Sequence, residues 1–195
     1  LYADPDNEGR LTNVKPTAPN NVIPFAAVLT KDSETGEIFV RPTIEQQMYY
    51  GRFSRLVDFV VENPNQAYPV SFDTVDISNG VVLNGPSNTQ IKFSDSGFYQ
   101  FDISAEVTAT SNKGRVYFWF RLNGVDIQNS SKSTTVTNGD TFNFSTCTHL
   151  SINADDYVEI MYAKTSAGII LDASGATAFS PSTSAITVNV TQIQL

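Results

Sequence analysis

The sequence predicts an all-β chain folded as an antiparallel jelly-roll sandwich, and three observations carry that prediction. Short runs of apolar and β-prone residues recur at close spacing, clusters of Asn, Asp, Ser and Gly separate them, and no convincing helical period appears beyond residue 42. A chain of 195 residues, 41% of them hydrophobic, suffices for one sizeable core plus a short extra segment. One main domain over residues 43–195 is therefore expected after an N-terminal segment over 1–42.

In order along the chain, residues 1–21 hold Pro5, Pro16 and Pro19 among Asp4, Asp6, Asn7, Glu8, Gly9 and Asn13 without a sustained period, which predicts an extended connector. Residues 22–29 and 37–41 are apolar and β-prone on either side of Lys31-Asp32-Ser33-Glu34-Thr35-Gly36, the pattern of a small β-hairpin. Pro42 closes it, since proline has no N–H for a ladder. Strands are then predicted at 48–61, 67–72, 80–83, 89–93, 98–110, 115–122, 141–152, 157–164, 168–172 and 185–194. Ser78-Asn79-Gly80, Asn84-Gly85-Pro86, Asp95-Ser96-Gly97, Asn123-Gly124 and Asn138-Gly139-Asp140 supply turns between them. In 43–61, Gln46, Gln47, Arg52, Arg55 and Asp58 break the alternation and admit a helix, whereas Tyr49, Tyr50, Phe53, Val57, Phe59, Val60 and Val61 favour strand.

Strand sides alternate, so each strand can be split by parity. In 98–110, Tyr99, Phe101, Ile103, Ala105 and Val107 form a core face opposite Gln100, Asp102, Ser104 and Glu106. In 115–122 both sides are large: Val116, Phe118, Phe120 and Leu122 on one, Tyr117, Trp119 and Arg121 on the other. Strand 157–164 repeats this, with Tyr157, Glu159 and Met161 opposite Val158, Ile160 and Tyr162. Either other segments of the chain cover the second face or another subunit does. The subunit reading is preferred, with Tyr117, Trp119, Tyr157 and Met161 as interface candidates, because exposed aromatic patches mark association.

Composition narrows the chemistry. Twelve basic against twenty acidic residues give a net charge of −8, which argues against nucleic acid or anionic lipid as a partner. No apolar run approaches the roughly 20 residues that cross a bilayer. With Cys147 alone there is no intrachain disulfide. Cys147 and His149 share a strand face and have the residue types of a nucleophile and base, but their neighbours Asn143, Ser145, Ser151 and Asn153 make it an ordinary polar face. One His and one Cys exclude multi-histidine zinc sites and thiolate clusters. The carboxylates Asp73, Asp76, Asp95, Glu106, Asp126, Asp155, Asp156 and Asp172 sit mostly at turns, where Asp serves local hydrogen bonding, so no enzymatic activity is expected. No cofactor is expected; calcium at Asn153, Asp155 and Asp156 is the one metal alternative, without a recognisable loop signature.

The order of motifs resembles the tumour necrosis factor and complement globular-head superfamily of trimeric jelly rolls, in the versions that end bacteriophage fibres. The residues are Tyr50-Gly51-Arg52-Phe53, Phe72-Asp73-Thr74-Val75-Asp76-Ile77-Ser78-Asn79-Gly80, Ser96-Gly97-Phe98-Tyr99-Gln100-Phe101, 116–126, Asp155-Asp156-Tyr157-Val158-Glu159-Ile160 and the closing strand 186–193. Separately, Lys15-Pro16-Thr17-Ala18-Pro19-Asn20 and Thr35-Gly36-Glu37-Ile38-Phe39-Val40 resemble the segment that links a shaft or particle to a distal knob. The resemblance implies a virion protein: a homotrimeric fibre knob that joins other virion proteins through its N-terminal segment and binds a host-surface glycan. The first residue is Leu1, and the chain is read as the C-terminal part of a longer one. Receptor-facing loops are expected around 111–114, 127–138 and 174–184, with Asn112, Lys113, Asn129, Lys132 and Asn138 as candidates. A decoration or collar protein with a purely structural role is the alternative, and a carbohydrate-active enzyme the least favoured.

Overall fold

The computed structural model describes residues 1–16, 23–24, 26–30, 37–40 and 48–194, and it divides the chain into two units, Leu1–Met48 and Tyr49–Leu195. The motif part Thr17-Ala18-Pro19-Asn20, the turn 31–36, Pro42 and the start of 43–61 lie outside the described residues. In the first unit β1 (Tyr2–Ala3) pairs with β2 (Leu11–Thr12), and β3 (Ala26–Thr30) pairs antiparallel with β4 (Glu37–Val40), the expected hairpin. The expected connector thus folds back near its start. Asp4 makes the turn: its carboxylate accepts from Asp6 N at 3.0 Å and Asn7 Nδ2 at 3.1 Å, and its own N donates to Arg10 O at 3.0 Å.

The second unit runs β5 (Tyr50–Arg55), β6 (Tyr68–Pro69), β7 (Thr74–Asn79), β8 (Val81–Asn84), β9 (Gln90–Phe93), β10 (Gly97–Ala109), β11 (Gly114–Leu122), β12 (Val125–Asp126), β13 (Lys132–Val136), β14 (Thr141–Ile152), β15 (Tyr157–Lys164), β16 (Ile169–Leu171) and β17 (Ile186–Gln194). One sheet has the order β14-β10-β17-β5-β7 with β16 also on β10; the other has β12-β11-β15-β9-β8, with β13 also on β11 and β6 also on β15. The pairs are antiparallel, and the chain crosses repeatedly between the sheets, for example from β7 to β8 and from β9 to β10. This is the predicted all-β jelly-roll sandwich. Gly80 makes the first of these crossings: its φ is 66°, and a Cβ there would collide with the Tyr49 ring.

The core lies between the sheets, where the parity argument places it. Tyr99, Phe101, Ile103, Ala105 and Val107 of β10 are buried against Val116, Phe118 and Phe120 of β11. Phe101 meets Phe93 at 5.9 Å and Phe120 at 5.5 Å, both edge to face, and Phe118 stacks on Phe144 at 4.4 Å. Each such side chain contributes about 1.5–3 kcal/mol through burial.

The differences from expectation are local. The strand expected over 48–61 stops at Arg55, because Asp73 accepts from Leu56 N at 3.0 Å and draws the chain out of the sheet; Phe59 then returns to bridge Leu171. The strand expected over 67–72 is cut to Tyr68–Pro69. β7 lies where no strand was expected, and it ends in Ser78-Asn79, the start of the cluster read as a turn. It is an edge strand with Val75 and Ile77 half exposed, so it lacks the apolar run of a central one.

Candidate ligand-binding site

The edge of β11 is shared by three partners, and that sharing builds the site. Gly114 to Phe118 pair with β13, Arg121 and Leu122 pair with β12, and between them Phe120 N donates to Ser130 Oγ at 3.1 Å while Phe120 O accepts from Ile127 N at 2.9 Å. Residues 123–131 therefore leave the strand and return to the same edge. They leave through Asn123 and Gly124, with φ of 49° and 81°, the positive pair expected of this hairpin turn. The Asn123 side chain locks the turn, donating to Asp156 Oδ1 at 2.7 Å and accepting from Tyr157 N at 3.0 Å.

This excursion carries Asp126, Gln128, Asn129 and Ser131 against Tyr117 and Trp119, bordering an open cavity of about 400 Å³ that Ala163 also lines. Trp119 Nε1 and Arg121 Nε both donate to Asp126 Oδ1, each at 2.9 Å. Hydrogen bonds from Trp119 first, then Arg121, hold the Asp126 carboxyl below the usual carboxylate range. It is an anion at neutral pH, and neither of these two bonds uses Oδ2. Two half-buried aromatic rings beside amides, a hydroxyl and a carboxylate suit a small polar ring: an apolar face rests on the rings while hydroxyls meet the amides and Oδ2.

The expected interface set divides on this structure. Tyr117 and Trp119 wall the cavity. Met161 is a correction: it stands in register between Trp119 and Pro69 and is 1% exposed within the single chain, so no subunit is needed to cover it. Tyr157 is half-buried, opposite Lys92 and beside the Asn123-Gly124 turn.

The expected loop set divides as well. Asn129, with φ of 63°, lines the cavity. Lys132 is a second correction, since it begins β13 opposite Phe118; its Ser- and Thr-rich run lacks apolar alternation, but β11 supplies the ladder. Asn112, Lys113 and Asn138 are exposed in turns at one end of the sandwich, tied by bonds from Thr110 N to Gly168 O and from Gly139 N to Ala109 O. Asp126 was read only as a turn carboxylate, and Gln128 fell within the loop expected over 127–138 without being singled out. Their signal was a polar run directly after an Asn-Gly turn and one strand edge from the only tryptophan.

The other candidate groups are engaged elsewhere. Cys147 and His149 lie on the outward side of the first sheet, opposite Asp102 and Gln100. A hydrogen bond to Asp102 and then burial push the Cys147 thiol up, away from the thiolate a nucleophile needs. Asp155 Oδ1 meets Lys92 Nζ at 2.9 Å, and Asp156 accepts from Asn153 N and Asn123 Nδ2, so these carboxylates serve the turn. Among the described residues no group of three or more His, Cys, Asp and Glu side chains is placed to hold a metal.

No family model matches the sequence, and no curated protein matches it. Among solved structures, murine APRIL at pH 8.0 is similar over 75% of this chain and 100% of its own, with 6% identity and a TM-score of 0.46. The globular domain of zebrafish complement 1qA is similar over 76% and 98%, with 12% identity and a TM-score of 0.45. These are likenesses of fold.

Proposed function

We propose that this chain is the non-catalytic, homotrimeric head of a bacteriophage virion appendage and that it adheres to a host-surface polysaccharide. The observation that carries the reading is the Trp119 cavity, where an aromatic shelf lies beside amide, hydroxyl and carboxylate groups with the chemistry to hold one sugar unit. A net charge of −8 with Asp126 in the wall favours a neutral glycan over an acidic one. Each site is open and weak, and a trimer repeated on a particle raises avidity without a new contact.

The assembly surface in this reading is the outward side of the β14-β10-β17-β5-β7 sheet. Tyr50, Ile77, Phe98 and Ile193 are exposed there, each 36–53% accessible, which suits a subunit contact in a closed oligomer. The N-terminal unit is the attachment to other virion proteins.

Three measurements test the reading. Light scattering is expected to give about three times the 21.3 kDa chain mass, and a monomer at micromolar concentration overturns the trimer. The fluorescence of the single tryptophan is expected to change saturably with neutral host glycan. Particles lacking the domain are expected to assemble normally and fail to adsorb; unstable particles with normal adsorption support a decoration or collar role instead.

A further inference from the structure

A second cavity, of about 570 Å³, opens over β15 and β9, and Glu159, Thr89, Gln90, Tyr68, Pro69 and Glu62 line it. Glu159 is 8% exposed. Its described hydrogen bond comes from Thr89 Oγ1 at 3.5 Å, and that hydroxyl's single proton is contested by Pro86 O at 3.4 Å. A largely buried carboxylate that opens on a cavity with one weak donor is a natural partner for a further donor or cation.

Among the described residues no Lys or Arg forms an ion pair with Glu159. Arg121 faces Glu159 directly in register, yet its Nε goes to Asp126 at 2.9 Å. Lys92 of β9 meets Asp155 at 2.9 Å. Arg55 reaches the cavity wall at Ser71 Oγ, 2.7 Å away, but it is held there by Ser71 and the Asp58 carbonyl, with its guanidinium 5.1 Å over the Phe59 ring. Among the described residues no Lys or Arg lines the cavity, and Glu62 adds a second carboxylate to its wall.

We propose that this cavity binds a primary ammonium group, with Glu159 as its counter-ion. The ammonium supplies the cation and the donors that Glu159 lacks. Tyr68 also lines the cavity, and Thr89 and Gln90 offer further acceptors. The same chemistry is presented by a lysine side chain of a protein and by an amino sugar of a glycan. The proposal does not depend on the Trp119 cavity.

The test is a titration of the whole chain, followed by NMR at the amides of Thr89, Gln90 and Glu159, with n-butylammonium and glucosamine as cations and n-butanol and glucose as their neutral counterparts. At least one cation is expected to give saturable shifts at these amides, and the neutral counterparts none at equal concentration. A response to n-butylammonium alone indicates a lysine source, and to glucosamine an amino-sugar source. Glu159→Gln keeps the shape and is expected to weaken binding at least tenfold. Equal shifts from the neutral counterparts, unchanged binding by Glu159→Gln, or glucosamine shifts confined to the Trp119 indole with no n-butylammonium response overturn the proposal. So does the lack of saturable binding by both cations. The wild-type comparison of charged and neutral probes stands even where the variant does not fold.

Discussion

The two sheets present similar apolar faces to the core and opposite kinds of face to the outside. On the first sheet, β10, β14 and β17 are long, and their outward side chains are mostly short and bonded to one another. Ser54 Oγ donates to Asp76 at 2.6 Å, Gln100 Nε2 to Asp102 at 2.7 Å, and the Thr108 and Thr141 hydroxyls meet at 2.9 Å. On the second sheet the outward side chains are large, namely Tyr117, Trp119, Glu159 and Met161, and segments of the chain itself close over them. A polar face with an apolar end suits another broad surface, although it too is hollowed, by a shallow cavity of about 430 Å³ among Asp102, Ser104, Ser145, Cys147 and Asn189. A face of large side chains beneath loops leaves hollows, which suit small molecules.

The largest test of this contrast separates the two sides of one strand. Phe118→Ala, on the buried side of β11, is expected to cost about 3–5 kcal/mol in a denaturant titration. Tyr117→Ala, one residue away on the outward side, is expected to cost about 1 kcal/mol and to abolish glycan-dependent fluorescence change at Trp119. Equal losses of stability would erase the distinction between the sides.

The next test asks which face meets another subunit. Cys147 is exposed on the first sheet of a single chain, so burial between subunits is expected to protect it from iodoacetamide. Phe98→Asp combined with Ile77→Asp is expected to give monomers in which Cys147 reacts severalfold faster. Free reaction in an intact trimer would move the interface away from this face.

A smaller effect is expected at Asp126. Asp126→Asn weakens the bonds from Trp119 and Arg121 at an exposed position, which costs about 0.5–1 kcal/mol and shifts Trp119 emission to the red. Its folded pKa is depressed, so its contribution is present above the ordinary carboxylate pKa and is lost as pH falls through the lower folded value. Emission followed against pH is therefore expected to change in acid and to be flat above the carboxylate range in the wild type. The same acid transition in Asp126→Asn would assign it to another group. Ser104→Ala, on the polar face, is expected to change stability by less than about 0.5 kcal/mol and glycan response not at all.

Much of the fold was legible because it rests on local rules. The alternation in β10 named its buried residues, and the Asn123-Gly124 pair named a turn whose angles are the positive ones that turn needs. The strands of the second unit that escaped notice, β7, β12 and β13, sit at sheet edges, where the neighbouring strand supplies the ladder and the sequence need not be apolar. The binding site was legible only in fragments. Tyr117 and Trp119 were recognised as exceptional and Asn129 as a loop residue, but nothing in their spacing joined them.

The sequence by itself determined that the chain is a β-sandwich, which side of each long strand enters the core, where several tight turns fall, and the acidic balance that disfavours anionic partners. These follow from strand periodicity, from the φ each turn residue tolerates, and from a count of charges. Only the tertiary structure decided what lies above the outward sides. Met161 is covered by its own chain, Trp119 shares an open cavity with Asp126, Gln128, Asn129 and Ser131, and Glu159 shares another with Glu62, Tyr68, Pro86, Ser87, Thr89 and Gln90 from distant parts of the sequence. Alternation tells a side chain which way to point, whereas its cover depends on which remote segments the fold brings back over it.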